Sequence, residues 1–190
     1  MVNGRLPTAT LRTLTGSSDP GCGPTMVQIA QKDVPSGSLI AQFGADPDYY
    51  ADAFTARARP GIDLREFLAV FYRTLPIRAE RQVLRLAGHG SDDEDVTRLS
   101  NDDADRFAMW SVESRRVDEI LLSDLSGRTK SWLKVEPVEG ATQLWFGSIL
   151  VPFQQKNGGF GIGGFATALI GPHRFYSRVL LRSAAKRLAT

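Results

Sequence analysis

The sequence is short of the residues that most often build metal sites and covalent cross-links. Cys22 is its single cysteine, and His89 and His173 are its only histidines. One cysteine excludes an intrachain disulfide and a cysteine-based metal cluster, and two histidines exclude a site built on several histidines. No Gly-x-Ser-x-Gly elbow is present, which disfavours a serine hydrolase. We therefore expect neither a metal nor a cofactor.

Long apolar runs are also missing. No window approaches the roughly 18 apolar residues of a membrane-spanning helix, and the N-terminus lacks the apolar core of about 7–15 residues found in signal peptides. The formal net charge of +2 is too small to imply a nucleic-acid partner. Of the 190 residues, 42% are hydrophobic and 23% are charged, a balance typical of a soluble globular protein. We expect a cytoplasmic protein.

The first 25 residues differ in composition from the rest. Gly, Pro, Ser and Thr dominate them, and such a stretch buries too little apolar surface to offset the entropy lost on ordering. We expect residues 1–25 to be a disordered tail, and Met26 is a candidate natural start. Residues 26–190 are long enough for one domain with a sizeable core.

The N-terminal half predicts strands and helices. Residues 38–43 are β-capable, and 50–56 alternate in the manner of a strand, although their alanines leave a short helix open. Asp63 is a good N-cap for a helix that Pro76 should break or kink, which gives two helices or one kinked helix. The acidic stretch 91–105 has no calcium-loop pattern and indicates a solvated loop.

From residue 106 to 152 the hydrophobic period changes to two. Turn residues at 124–128 and 139–141 separate these runs, and no helical pattern interrupts them, which predicts three or four antiparallel strands. Gly171-Pro172-His173 should open a final helix with one apolar and one basic face. A curved antiparallel sheet that wraps a C-terminal helix follows, so we expect an α+β fold.

The glycines at 159, 161 and 164 have the spacing of a dinucleotide fingerprint. That fingerprint requires a βαβ unit and a later acidic residue, and neither can follow here. A flexible loop at 157–164 that covers the mouth of a pocket is the better interpretation.

Two acidic residues and one histidine are the candidates for chemistry. Asp118 and Glu119 are adjacent on a strand, so one of them should face the interior of the sheet, where it is a candidate general acid or base. The alternative is an ion pair with Arg115 or Arg116. His173 is a candidate base or ligand contact beside the glycine loop, and capping or packing is the alternative.

Three short motifs carry a family resemblance. The sequence at 48–54, Asp118 to Leu122 in the strand block, and Pro172-His173-Arg174 resemble an uncharacterised bacterial domain of unknown function, found alone or fused behind NAD(P)-binding epimerase-like domains. The resemblance implies the helix-grip fold of lipid-transfer and polyketide-cyclase-like domains. It also implies an accessory role beside an NAD(P)-binding oxidoreductase as one possible function.

The leading hypothesis is a module that binds a small hydrophobic molecule between the sheet and the C-terminal helix. Its candidate lining is aromatic: Trp110, Trp132, Trp145, Phe146 and Tyr176. The alternative is a cyclase, isomerase or hydrolase in the same cavity, with Glu119 or Asp118 as the acid–base group and His173 as its partner. The basic stripe of the last helix is an ordinary exposed face, with contact to an anionic membrane surface as the alternative.

Overall fold

The structure, a computed structural model, describes residues 27–189 except 87, 89 and 155–159. The predicted tail at 1–25 and the first part of the predicted loop at 157–164 lie outside the described residues. In chain order the elements are β1 (Ala30–Lys32), α1 (Ala41–Gly44), β2 (Tyr50–Ala58), α2 (Leu64–Phe71), α3 (Leu75–Leu86), α4 (Asp93–Ser100), β3 (Arg106–Phe107), β4 (Trp110–Arg115), β5 (Glu119–Asp124), β6 (Thr129–Val138), β7 (Ala141–Leu150), β8 (Phe153–Gln154), β9 (Phe160–Gly161) and α5 (Gly164–Arg187).

Seven of the strands form one antiparallel sheet, in the order β1-β2-β7-β6-β5-β4-β3. The strands β3 to β7 form a meander over the block predicted from residue 106 onward. Its hairpin turns follow Asp124 and Val138, at the two predicted positions. The α+β class is therefore confirmed, with an antiparallel sheet and a C-terminal helix.

The two-residue period divides the sheet residues between two faces, and both faces are buried. On the first, which we call the helix face, Phe54, Leu133 and Phe146 pack in one core cluster with residues of α2 and α5. On the second, the opposite face, Trp132 and Trp145 belong to a separate cluster, beneath a cover formed by residues 34–49. The fold therefore has two apolar layers, one on each side of the sheet.

Two helices between β2 and β3 follow the sequence prediction. The carboxylate of Asp63, the N-cap of α2, accepts a hydrogen bond from the backbone N–H of Glu66 at 2.7 Å. Helix α2 ends at Phe71 and α3 begins at Leu75, with Pro76 in its first turn, where a missing backbone N–H costs nothing. Of the two predicted alternatives, the chain adopts two separate helices.

Two predictions for this half of the chain were wrong. Residues 38–43 contain a turn and the short helix α1 instead of a strand. The acidic stretch forms the helix α4 instead of a loop, because Asp92 and Asp95 make a reciprocal capping box at its start. Val96 and Leu99 then bury one side of α4 in the core.

The last helix is longer than predicted. It begins at Gly164, so Pro172 lies inside it, although Pro172 has no N–H for the usual bond to the fourth carbonyl before it. Its inward side, with Leu181 and Ala184, packs against β2 and β7, while Arg182 and Lys186 are exposed on the other side, as predicted. Among the described residues, we find no helix with the length and apolar character needed to cross a membrane.

Candidate functional site

A cavity of about 260 Å³ lies on the helix face, between the sheet and the helices α3 and α5. Most of its lining is apolar and aromatic, with Phe71, Tyr72, Ile77, Phe107, Trp110, Phe146 and Leu180 as the main contributors. Hydroxyl, imidazole and charged groups complete the lining, from Arg81, Asp124, Thr129, Ser131, Ser148, His173 and Ser177. The cavity is thus apolar with a limited set of polar groups, which is the usual character of a small-molecule site.

Strand register explains why the sheet contributes polar groups here. Asp52 on β2 pairs with Ser148 on β7, and Ser148 pairs with Ser131 on β6. Residues that are directly opposite across an antiparallel sheet share a face, so these three side chains form a polar row on the helix face. Thr129 lies two residues from Ser131 along β6 and therefore on the same face. The register therefore gathers polar side chains from three strands under one end of α5.

Helix α5 supplies the opposite wall. His173, Tyr176, Ser177 and Leu180 recur at the three- and four-residue spacing that places side chains on one side of a helix. The hydroxyl of Ser177 donates to the backbone carbonyl of His173 at 3.1 Å. The imidazole Nε2 of His173 is buried, and it has no hydrogen-bond partner within the described part of the chain. A buried polar atom without a partner is uncommon in a folded protein.

Asp52 forms the β2 end of this polar row and is 4% exposed. Its carboxylate accepts the backbone N–H of Ser148 at 3.1 Å and the hydroxyl of Tyr50 at 2.8 Å. Burial raises the pKa of Asp52, against the lowering effects of the Tyr50 hydrogen bond, the charge of His173 and the Ser148 N–H. Burial and the Asp52 charge in turn raise the pKa of Tyr50, so its phenol stays protonated and remains the donor.

The aromatic residues predicted to line the cavity are divided between the two faces. Trp110, Phe146 and Tyr176 line it. Trp132 and Trp145 do not, because they occupy the alternate positions of β6 and β7 and lie on the opposite face. There the indole N–H of Trp132 donates to Glu119 and that of Trp145 donates to Glu136.

The predicted acidic partners of His173 also lie elsewhere. Glu119 is 1% exposed on the opposite face, where it accepts bonds from Trp132 Nε1 at 2.7 Å and the Leu39 N–H at 3.0 Å and pairs with Arg116 at 2.8 Å. Asp118 is half-exposed and pairs with Lys134. The expected meeting of either carboxylate with His173 in one cavity does not occur, since the sheet lies between Glu119 and α5.

Sequence reasoning missed Asp52, the buried carboxylate that bonds to Ser148 of the lining. A signal was available, because Asp52 falls between Tyr50 and Phe54 in the alternation of β2 and so shares the face of a buried phenylalanine. A carboxylate on an apolar strand face is unusual and calls for an explanation. Its partner Ser148 could not be found in the same way, because the pairing joins residues far apart in the chain.

Comparison with protein-family models, with curated proteins and with solved structures finds no match for this chain. The family resemblance of the three short motifs therefore stays a prediction. Across the described residues, no group of three or more acidic, histidine or cysteine side chains is placed to hold a metal ion. What the structure defines is an α+β protein with a mixed apolar and polar cavity between its sheet and its helices.

Proposed function

We propose that the protein binds a small, mainly apolar molecule in the cavity between the sheet and α5. The observation that supports this most is the cavity of about 260 Å³, whose largely aromatic lining carries a few polar side chains. A cavity needed only for packing would gain stability by closing, because lost contacts around a void are costly. A cavity that keeps aromatic walls and polar side chains is better suited to a ligand.

We further propose that the architecture is a helix-grip fold. The first long strand, β2, pairs with the last, β7, and helices separate β2 from the β3–β7 meander. The C-terminal helix α5 then packs on β2 and β7 and touches α2 and α3. A sheet that holds its C-terminal helix against one face in this way supports the arrangement implied by the sequence resemblance.

The size of the cavity limits the ligand. An apolar cavity of about 150 Å³ is enough to bind benzene, and this one is about 260 Å³. The natural ligand should therefore be a molecule of one or two rings or a short chain, well below the size of a membrane lipid. Arg81 gives little information about the chemical class of the ligand, because its guanidinium already bonds to Ser91 and Asp93.

A matched pair of serine variants tests the proposal. The protein is incubated with a mixed metabolite extract and analysed by native mass spectrometry for a bound species. Ser131→Leu places a larger apolar side chain in the cavity and should abolish the retained species. Ser123→Leu makes the same change on the neighbouring strand β5, but on the opposite face, and should leave binding intact.

The melting temperature of each variant separates lost binding from lost folding. Equal retention of the species by both folded variants, or no retained species with the unmodified protein, would contradict the proposal.

A second candidate function is proton transfer to or from a molecule bound in the same cavity. Asp52 favours it, because this buried carboxylate accepts a hydrogen bond from Ser148, a residue of the lining, and because burial raises its pKa. If the retained species is a substrate, its mass or isomer composition should change on incubation with the protein. Asp52→Asn should then stop that change while leaving the species bound. A ligand recovered unchanged after long incubation would rule this candidate out.

A further inference from the structure

We propose that the outer side of α5 docks on an anionic lipid surface. The contact is made by an exposed row on this helix, which we call the outer row: Phe175, Arg178, Arg182 and Lys186. The inner side of the same helix lines the cavity, so this surface is separate from the proposed ligand site and does not depend on it. The local charge, the arrangement of the four side chains and the partners of the three cations support the proposal.

The C-terminal part of the chain is strongly basic, although the chain as a whole is close to neutral. The formal net charge is +2, and the chain contains 21 acidic residues. The last of these is Glu139, so residues 140–190 carry six lysines and arginines and no acidic side chain. Five of the six lie on α5. A local excess of positive charge of this kind favours an anionic partner.

The outer row brings an aromatic ring into line with three cations. Its members follow one another at three- and four-residue spacing, so they occupy about a quarter of the helix circumference and span about 16 Å along its axis. Phe175 is 68% exposed, and the three basic residues are exposed as well. Leu181 and Ala184 are buried on the other side of the helix, which holds the outer row towards solvent.

The cations of the outer row keep their charge available to an external partner. Across the described residues, no acidic side chain forms an ion pair with Arg178, Arg182 or Lys186. The guanidinium of Arg178 lies 5.1 Å from the centroid of the Phe54 ring and donates to Gln31 at 3.4 Å. Both of these neighbours are neutral, so neither compensates the positive charge.

The combination of one ring with three cations favours a lipid surface over a nucleic acid. Each lysine or arginine close to an anionic bilayer strengthens binding roughly fivefold, and an apolar ring at the same surface adds buried apolar area. Proteins that bind single-stranded nucleic acid use a basic groove with several stacking rings, whereas the outer row is a single ridge with one ring at its end. Contacts to the phosphates of a duplex need the cations alone.

Vesicle co-sedimentation tests the proposal. The whole protein is mixed with vesicles of phosphatidylcholine, or with vesicles of equal parts phosphatidylcholine and phosphatidylserine, and the bound fraction gives a partition constant. The variant Arg182→Gln/Lys186→Gln removes two cations from the outer row. Its matched control, Arg65→Gln/Arg98→Gln, removes two exposed cations from α2 and α4 and changes the net charge equally. Phe175→Ser removes the ring without a change of charge, and circular dichroism verifies that each variant is folded.

The unmodified protein should bind the vesicles that contain phosphatidylserine and should not bind those of phosphatidylcholine alone. Arg182→Gln/Lys186→Gln should lower the partition constant roughly tenfold to thirtyfold, and the matched control should lower it far less. Phe175→Ser should lower it roughly threefold to tenfold, because the apolar area of the ring is lost.

Three results would overturn the proposal. The first is that the folded, unmodified protein does not bind phosphatidylserine vesicles, including the case in which it binds a labelled oligonucleotide instead. The second is an equal loss of vesicle binding in the two double variants, which would show that only the net charge matters. The third is unchanged vesicle binding by Phe175→Ser. None of these results bears on the cavity, whose ligand is tested separately.

Discussion

The two faces of the sheet each bury one carboxylate, and the two carboxylates have different surroundings. On the opposite face, Glu119 accepts bonds from Trp132 and Leu39 and pairs with Arg116. On the helix face, Asp52 accepts bonds from Tyr50 and Ser148 and lies beside a cavity whose His173 Nε2 has no described partner. Glu119 links the chain segment at 34–49 to the sheet, whereas Asp52 lies next to a residue that lines the cavity.

This difference shows how burial alone can mislead a search for catalytic residues. Both carboxylates are almost completely buried, at 1% exposure for Glu119 and 4% for Asp52. What separates them is the neighbouring space: Glu119 bonds two groups of the opposite face and its cover, while Asp52 contacts a residue that lines a cavity. A structural role is the better assignment for the first, and a role in binding for the second.

Among the variants that test this comparison, Glu119→Ala is expected to have the largest effect on stability. The substitution leaves the Trp132 indole N–H and the Leu39 N–H without their acceptor and removes the carboxylate that pairs with Arg116. We expect a loss of about 3 kcal/mol in the free energy of unfolding, measured by urea denaturation. Asp118→Ala, the control on the adjacent half-exposed carboxylate, should cost about 1 kcal/mol or less. Similar losses for the two variants would contradict the structural role of Glu119.

A smaller loss is expected from Gly147→Ala on the same face. A Cβ at Gly147 would lie 2.7 Å from the carbonyl oxygen of Asp52, 2.8 Å from Ile40 Cδ1 and 2.9 Å from Trp132 Cε3. Because backbone and packed core atoms would have to move, we expect a cost of about 2 kcal/mol in thermal or urea unfolding. Gly164→Ala, where an added Cβ meets nothing within 4 Å, should not destabilise the protein. An unchanged stability of Gly147→Ala would mean that the cover at 34–49 packs less closely than described.

The smallest expected effect on stability comes from Asp52 on the helix face, and it depends on pH. Burial raises the pKa of Asp52 above its ordinary value of 3.8, so its contribution to stability is complete below that value and is lost as the pH rises through the folded-state pKa. Asp52→Asn removes this loss. The free energy of unfolding of Asp52→Asn should exceed that of the unmodified protein by the largest amount at neutral pH. This excess should decrease as the pH falls towards 4.

Urea titrations at several pH values measure this difference. Tyr50, His173 and Arg174, the other charged or titratable groups that act on Asp52, are present in both proteins. Asp48→Asn, which removes a carboxylate at an exposed position, serves as the control with which the Asp52→Asn difference is compared. A difference for Asp52→Asn that does not vary with pH would show that burial does not shift the pKa of Asp52.

The long strands and most helices could be predicted from the sequence because their signals are local. The alternation of Tyr50, Asp52 and Phe54 and the Asp63 N-cap depend on residues close together in the chain. The capping box of Asp92 and Asp95 is equally local, and the wrong prediction of a loop came from giving more weight to its charge than to its spacing. The prediction that the last helix begins at Gly171-Pro172-His173 was wrong, because one proline did not end a helix that packs along the sheet.

The site could be predicted only in part, because both faces of the sheet are apolar. On β7 the adjacent residues Trp145 and Phe146 are both buried, so hydrophobicity does not reveal which of them faces α5. That choice depends on the pairing of β2 with β7, which joins Asp52 to Ser148 across 96 residues of chain. The cover at 34–49, which makes the opposite face apolar, contains the helix that was predicted as a strand.

The three tryptophans allow the most direct test of the account, because Trp110 lines the cavity while Trp132 and Trp145 lie on the opposite face. Their indole N–H resonances can be observed in a ¹H–¹⁵N correlation spectrum and assigned with single Trp→Phe variants. On titration with 4-ethylphenol, a small aromatic probe, we expect a saturable shift of the Trp110 resonance and little change in the other two. A saturable shift of Trp132 or Trp145 with Trp110 unchanged would contradict it.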